Sequence, residues 1–476
     1  MSTEFVAGID LGSTGVKILV LDQDGGELLV EQRPTPWITG PGGTTELEAS
    51  DLMNVVRSLL EAAARGVVQR TGDPDARIAS IAVAGMGETG YLIDRSGSAV
   101  ARAFAWFDPR GVEQVNAMPG ALRTEFAGRT GLPLGAQVSV AKILYLRDHG
   151  LDLTGLRWLN LPEFVAVSLG TAPAADLSLA SRTGMLDQDT GKAWPEMLAY
   201  IGVGEEFMPP LVAAGTMRGT AEQEWMPSAV RGAAVTVAGH DHLVAAVSGG
   251  TIPGSQYQVS MGTAEVILRV LDQPPTRAAR ERLAAHLINC VRHVVDGQYV
   301  LVAGVKSGLL MRRSLQLFGI EDRDGRERLD RSVCALPVGG RLPEGAIVVR
   351  GARNDDGVLS LTIPADGVTP AEAFHAVLHH GNDEIAILLE AMSREVPPAT
   401  STLLSGGWTA MESVRQARSR VLPNIRTSTK TQDTAFGAAM AASLLANATT
   451  RESGRAVVAQ HQQATTTENG ERHVKK

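Results

Sequence analysis

The chain has only two cysteines, Cys290 and Cys334, far apart and without a CxxC or metal-ligand spacing. That excludes a disulfide scaffold and a cysteine-based metal centre and fits a reducing compartment. No apolar run approaches the ~20 residues that a membrane-spanning helix needs. No basic segment followed by an apolar stretch opens the sequence, so a cytoplasmic protein is expected. Basic residues are also outnumbered: 44 Lys and Arg against 52 Asp and Glu leave a net charge of −8, which argues against nucleic acid or an anionic membrane as partner. Aromatics are sparse, whereas glycine is abundant at 51 residues, so tight turns and close backbone approaches are expected.

The 476 residues exceed what one core usually supports, which predicts two or three domains. Phe5–Asp10, Val16–Asp22 and Glu27–Arg33 are strand-like runs joined by glycine-containing turns, an antiparallel meander. Ser50–Arg70 reads as a helix with Ser50 as its cap and Leu52, Val55, Val56, Leu59 and Leu60 on one face. Ile78–Ala84 reads as a buried strand ending at Gly85-Met86-Gly87-Glu88. Mixed strands and helices predict an α/β core. Near the middle, Tyr257–Ser260 enters the turn Met261-Gly262-Thr263-Ala264 and Glu265–Val270 leaves it, which echoes the first hairpin. Two similar domains, each presenting a hairpin to a shared cleft, would leave this trace. The junction is placed near 243–255, which gives domains 1–246 and 247–448; residues 449–476, rich in Thr and Gln, read as a disordered tail.

Four segments carry candidate chemistry. In Asp10-Leu11-Gly12-Ser13-Thr14-Gly15, glycines let backbone approach a ligand, hydroxyls and amides can donate to phosphate, and Asp10 could hold Mg²⁺ through water. The turn has neither the P-loop nor the dinucleotide pattern, and by itself it is also an ordinary turn. Gly239-His240-Asp241-His242 follows the apolar run Ala233–Ala238, so a strand would deliver Asp241 to a sheet edge. On a continuing strand His240 and His242 would share one face and Asp241 the other, and no third ligand stands at a metal-binding spacing. Ser260-Met261-Gly262-Thr263 is a second phosphate-type turn, and Ser405-Gly406-Gly407-Trp408, at a strand-to-helix turn, suits a flat ligand lying on backbone.

Taken in order, Asp10-Leu-Gly-Ser-Thr, Trp106-Phe107-Asp108-Pro109-Arg110, Asp241, Ser260-Met-Gly-Thr, Ser405-Gly-Gly-Trp and Phe436-Gly437-Ala438-Ala439 resemble the FGGY family of carbohydrate kinases. Ser139–His149 looks like an internal signature of that family, with Tyr145 where Trp is usual, and Asp176–Asp187 is similar to its D-x-S-x-A-S-x-T-x-x-x-D stretch. Leu336–Pro343 keeps only the outline of a further motif.

The resemblance implies two ribonuclease-H-like, actin-like ATPase domains closing on ATP, Mg²⁺ and a small sugar or polyol. By position, Gly12, Ser13, Thr14, Gly262 and Thr263 would hold phosphates, Gly406, Gly407 and Gln416 would serve the adenosine side, and Asp10 would sit near the metal. Met86, Gly87, Glu88, Asp108 and Arg110 would lie toward the acceptor, with Asp241 as catalytic base. A homodimer is expected by family analogy. The competing reading is an actin-like ATPase that uses nucleotide as a switch and has no sugar substrate.

Overall fold

The computed structural model describes residues 4–337, 345–353, 358–428 and 432–448. The predicted tail, and positions 338–343 of the motif at Leu336–Pro343, lie outside the described residues.

The predicted meander forms. β1 (Glu4–Leu11), β2 (Gly15–Leu21) and β3 (Glu27–Pro34) pair antiparallel. Helix α1 (Ala49–Thr71) covers this sheet with Leu52, Val56, Leu59 and Leu60 buried. It starts one residue earlier than expected. Glu48 occupies the cap position without a side-chain cap bond, so Ser50 lies inside the first turn and is not the cap. β4 (Arg77–Gly85) then adds parallel to β1, β5 (Met217–Thr220) forms the edge, and β6 (Ala234–His240) lies between them, parallel to β4.

After the eight-residue helix α2 (Asp241–Ser248), the plan repeats. β7 (Gln256–Met261) and β8 (Glu265–Leu271) form a hairpin, and β9 (Asn289–Arg292) and β10 (Tyr299–Val305) extend it antiparallel. Helix α3 (Ser307–Leu317) and the long helix α4 (Pro370–Ser393) follow, and α4 starts with a complete Thr369/Glu372 capping box. β11 (Ser401–Ser405) then adds parallel to β7, and, after helix α5 (Glu412–Arg418), β12 (Ile425–Thr427) adds parallel to β11.

The two sheets therefore share one core order. It runs β3-β2-β1-β4-β6 in the first and β10-β8-β7-β11-β12 in the second. Each has three antiparallel strands followed by two parallel additions, so the repeated hairpin does mark two similar domains, with the ribonuclease-H-like arrangement that the family resemblance implies.

Each sheet has its own apolar core, built on α1 in the first half and on α3, α4 and α5 in the second. A third core joins the segment between β4 and β5 to Leu268, Val270, Val300 and Val302 of the second sheet. A last helix over 433–448 returns to the first sheet. Its small face, Ala435, Ala438, Ala439 and Ala442, packs on Val6, Leu19, Ala82 and Ala84, and Ser80 Oγ donates to Ala442 O at 2.7 Å. Small residues allow this close helix-to-sheet contact, so the chain that builds the second half also clamps the first. Among the described residues no helix is long and apolar enough to cross a membrane.

Candidate active site

Between the two sheets lies a cavity of about 990 Å³. Its lining brings together Asp10, Gly12, Ser13 and Thr14 from the first hairpin, Met86, Gly87 and Glu88 beyond β4, Asp241 from α2, and Gly406 and Gly407 beyond β11. These residues leave the C-terminal ends of parallel strands or the tip of a hairpin, where such sheets place ligands.

The first hairpin tip is held by neighbours rather than by its own bonds alone. Thr35 Oγ1 donates to Gly12 O at 2.6 Å, and Trp37 Nε1 donates to Ser13 O at 2.7 Å. Those bonds occupy carbonyls on one side of the tip. Ser13 is half-buried and Thr14 exposed. Asp10, the last residue but one of β1, is almost out of solvent, with Lys17 Nζ 3.8 Å away. Burial, then the charge of Asp241, pushes the Asp10 carboxyl up to about 7, and Lys17 opposes them.

Asp241 differs from its predicted setting. The strand ends at His240, and Asp241 is the first residue of α2, so the three residues do not alternate along a strand. A helix start favours a carboxylate. Its Oδ1 accepts from the His242 backbone N–H at 2.6 Å and lies 3.6 Å from His240 Nε2. Burial works against the anion, but His242, His240, that backbone N–H and Arg182 together hold the carboxyl below its usual range. His240 is buried, and burial pushes its imidazole down to about 3, so it is neutral near pH 7. Two of the cleft's carboxyls are thus pushed apart: Asp241 ionises readily and Asp10 does so reluctantly.

Among the described residues no group of three or more His, Cys, Asp or Glu forms a metal cage. Two hard carboxylates facing one cleft are a donor set suited to Mg²⁺, which binds through one or two carboxylates and otherwise through phosphate oxygens and water.

The remaining predicted residues stand apart from the cavity lining. Gly262 and Thr263 are exposed at the second hairpin tip; Gly262 O accepts from Trp408 Nε1 at 3.0 Å. Gly406, at φ 94, packs its α-carbon against the Met261 backbone, where a side chain would collide. The second hairpin and the Gly406 turn are therefore one assembly. Gln416 is exposed and donates to Glu412 Oε1 at 3.1 Å. Asp108 is buried: it accepts from Thr45 N at 2.7 Å and is gripped by Arg110 through Nε at 2.9 Å and Nη2 at 2.6 Å. Arg110 also reaches Glu46 at 2.6 Å and lies over the Phe104 ring. Asp108 and Arg110 thus brace the loop that carries Trp106, and it is Trp106 that lines the cavity. Lys142, buried beneath this loop, donates to the carbonyls of Asp108 and Arg110.

Other cavity residues were not singled out from sequence: Lys17, Gln137, Arg182, Lys306 and Thr409 among them. Lys17 had a signal. It stands directly opposite Asp10 in the hairpin register and so shares its face. Arg182 had none beyond its place in the Asp176–Asp187 stretch.

Known proteins show the same architecture. Residues 5–248 match the family model described as FGGY family of carbohydrate kinases, N-terminal domain, and the chain belongs to that family. It is 26% identical over 474 residues to a glycerol kinase of Xanthobacter autotrophicus, covering 92% of this chain and 90% of that protein. With a glycerol kinase of Rhizorhabdus wittichii the identity is 27% over 235 residues, 46% of this chain and only 45% of that protein. Among solved structures, a ligand-bound xylulose kinase from Lactobacillus acidophilus superposes with a TM-score of 0.80 at 17% identity, covering 93% of this chain and 91% of that one. At such identity the likeness supports the fold alone.

Proposed function

We propose that this protein transfers the γ-phosphoryl group of ATP to a hydroxyl of a small polyol or ketose, with Asp241 as general base. The observation that carries this reading is a carboxylate, held ionised at a helix start, inside a cleft faced by two glycine-bearing hairpins.

An acceptor hydroxyl is a poor nucleophile. As its oxygen bonds to the γ-phosphorus, its proton passes to Asp241, and the bond from phosphorus to the bridging oxygen breaks to leave ADP. In this reading Gly12, Ser13 and Thr14 donate to phosphate oxygens from one side. Gly262 and Thr263 do so from the other once the halves close. Closure also keeps water from taking the phosphoryl group. Gly406 and Gly407 receive the adenosine, with Gln416 at its rim. Met86, Gly87 and Glu88 face the acceptor, and Asp108 and Arg110 act by holding the Trp106 loop. Asp10 would hold Mg²⁺, which when bound neutralises charge on the phosphates. The names of the relatives, glycerol and xylulose kinases, agree with a polyol or ketose acceptor.

ADP release from Mg-ATP, measured across glycerol, tetritols, pentuloses, hexuloses and aldonates, tests this. The expected result is turnover that depends on one acceptor class and is lost in Asp241→Asn. Acceptor-independent hydrolysis that Asp241→Asn leaves intact would instead indicate a nucleotide switch.

A further inference from the structure

Arg182 follows the short helix Leu177–Ala180 and lines the same cavity as Asp241 and Glu88, with its side chain 10% exposed. Its Nη2 pairs with Glu88 Oε1. Nε and Nη1 are buried and find no acceptor among the described residues. A buried donor left unmet is destabilising, so a protein rarely keeps two on one guanidinium without use for them.

Two further features show that this arrangement is built. A β-carbon at Gly87 would meet Arg182 Cγ at 3.0 Å and His240 Cδ2 at 2.9 Å, so the missing side chain is what admits the arginine. Glu88 has φ 63, a left-handed conformation that non-glycine residues rarely adopt and that collects at functional sites. The strained carbonyl is held by Ser139 Oγ at 2.9 Å, and Glu88 meets Arg182 in this conformation. Backbone strain, a cleared path and idle donors all converge on one Glu–Arg pair beside the proposed base.

We infer that Arg182 is a substrate-contacting, specificity-determining residue: one of its unmet N–H donors, Nε or Nη1, donates to an acceptor hydroxyl adjacent to the one Asp241 deprotonates, while Glu88 accepts that hydroxyl's hydrogen. The inference rests on the kinase reading for the role of Asp241, and it names the acceptor class. A hydroxyl is both donor and acceptor, and a Glu–Arg pair offers the complement of each. Tilting the planar guanidinium toward the cavity as the acceptor enters gives its idle donors an oxygen. An aldonate carboxylate is the wrong partner, because Glu88 already balances Arg182 and Asp241 adds a further negative charge. The acceptor is therefore a neutral vicinal diol.

The test uses the full chain, as wild type, Arg182→Lys and Arg182→Gln. The probes are glycerol, erythritol, D-xylulose, D-gluconate and 1,3-propanediol, which lacks the middle hydroxyl of glycerol. Binding is read by calorimetry and transfer by ADP release. Wild type should prefer its best vicinal diol over 1,3-propanediol by roughly 10- to 100-fold, the scale of a charge-assisted hydrogen bond. Arg182→Lys, which keeps a cation beside Glu88 and should fold, erases that preference by raising KM more than it lowers kcat. Arg182→Gln does the same.

A lysine variant that retains the preference overturns the inference. So does wild type that favours D-gluconate or binds none of the five. Arg182-dependent diol binding without transfer would uphold the inference and sink the kinase reading. Transfer to a diol with a KM indifferent to Arg182 would do the reverse.

Discussion

In the first hairpin Asp10 sits directly opposite Lys17, one pair before the turn is reached; the matching positions in the second are Ser260 and Val266. The second hairpin keeps its charge one step nearer the turn and turned inward. Glu265 is fully buried, accepting from Ser307 Oγ at 2.5 Å and from Arg418 Nε at 2.8 Å and Nη2. Arg418, also fully buried, donates onward to Asn382 Oδ1 at 2.7 Å and Leu378 O at 3.0 Å. This network ties β8, α3, α4 and α5 together beneath the tip. One strand plan thus serves two ends: the first half brings poorly balanced charge to the cleft, and the second buries well-balanced charge to stiffen a platform.

Breaking the buried pair should have the largest effect on stability. Arg418→Met leaves Glu265 uncompensated and should cost about 3–5 kcal/mol in urea unfolding, and replacing both residues by apolar ones should recover much of the loss. An Arg418→Met protein as stable as wild type would show that the platform does not depend on the pair.

Lys142 gives a pH signature on the acceptor side. Burial pushes its ammonium from 10.5 down to about 8. Between those values the unfolded chain binds more protons than the folded one, so folding stability rises with pH through that window. The rise is about 2 kcal/mol from pH 8 to 10 at 1.36 kcal/mol per unit. Denaturant unfolding of Lys142→Met over the same range should lack this increment. Equal slopes for the two proteins would contradict it.

The smallest effect sharpens the comparison from the other side. Lys17 is partly exposed, so Lys17→Met should change stability by less than about 1 kcal/mol. Removing this cation from the phosphate side of the cleft should still raise the KM for Mg-ATP about tenfold, near the lower end of the range for one charge-assisted bond. A stability loss larger than the KM effect would mean that the first hairpin is a scaffold like the second.

What the sequence disclosed was local. The strands around Phe5–Asp10, Val16–Asp22 and Tyr257–Ser260 emerge within a residue or two, because apolar runs and glycine turns encode them over short spans. The helix Ser50–Arg70 was legible from its apolar face, but its start was not, since Ser50 imitates a cap that the chain does not use. The strand does deliver Asp241 to its edge, but the residues do not say that a helix starts there: Gly239, at φ 109, marks the strand's end, and Asp241 opens α2. Motif order named only part of the cleft lining, and Asp108 and Arg110 turned out to grip each other beneath the loop of Trp106. Long-range partners left no trace: Glu265 and Arg418 are 153 positions apart, Ser80 and Ala442 are 362 apart, and topology alone unites Glu88 with Arg182.

The central claim is that Asp241 takes the acceptor's proton. Single-turnover transfer of the γ-phosphoryl group from Mg-ATP, with the best acceptor saturating, compares wild type with Asp241→Asn directly. The account predicts transfer slower by a factor of about 10²–10⁴, with the binding of Mg-ATP and acceptor changed only a few-fold. Transfer at the wild-type rate in Asp241→Asn would contradict it.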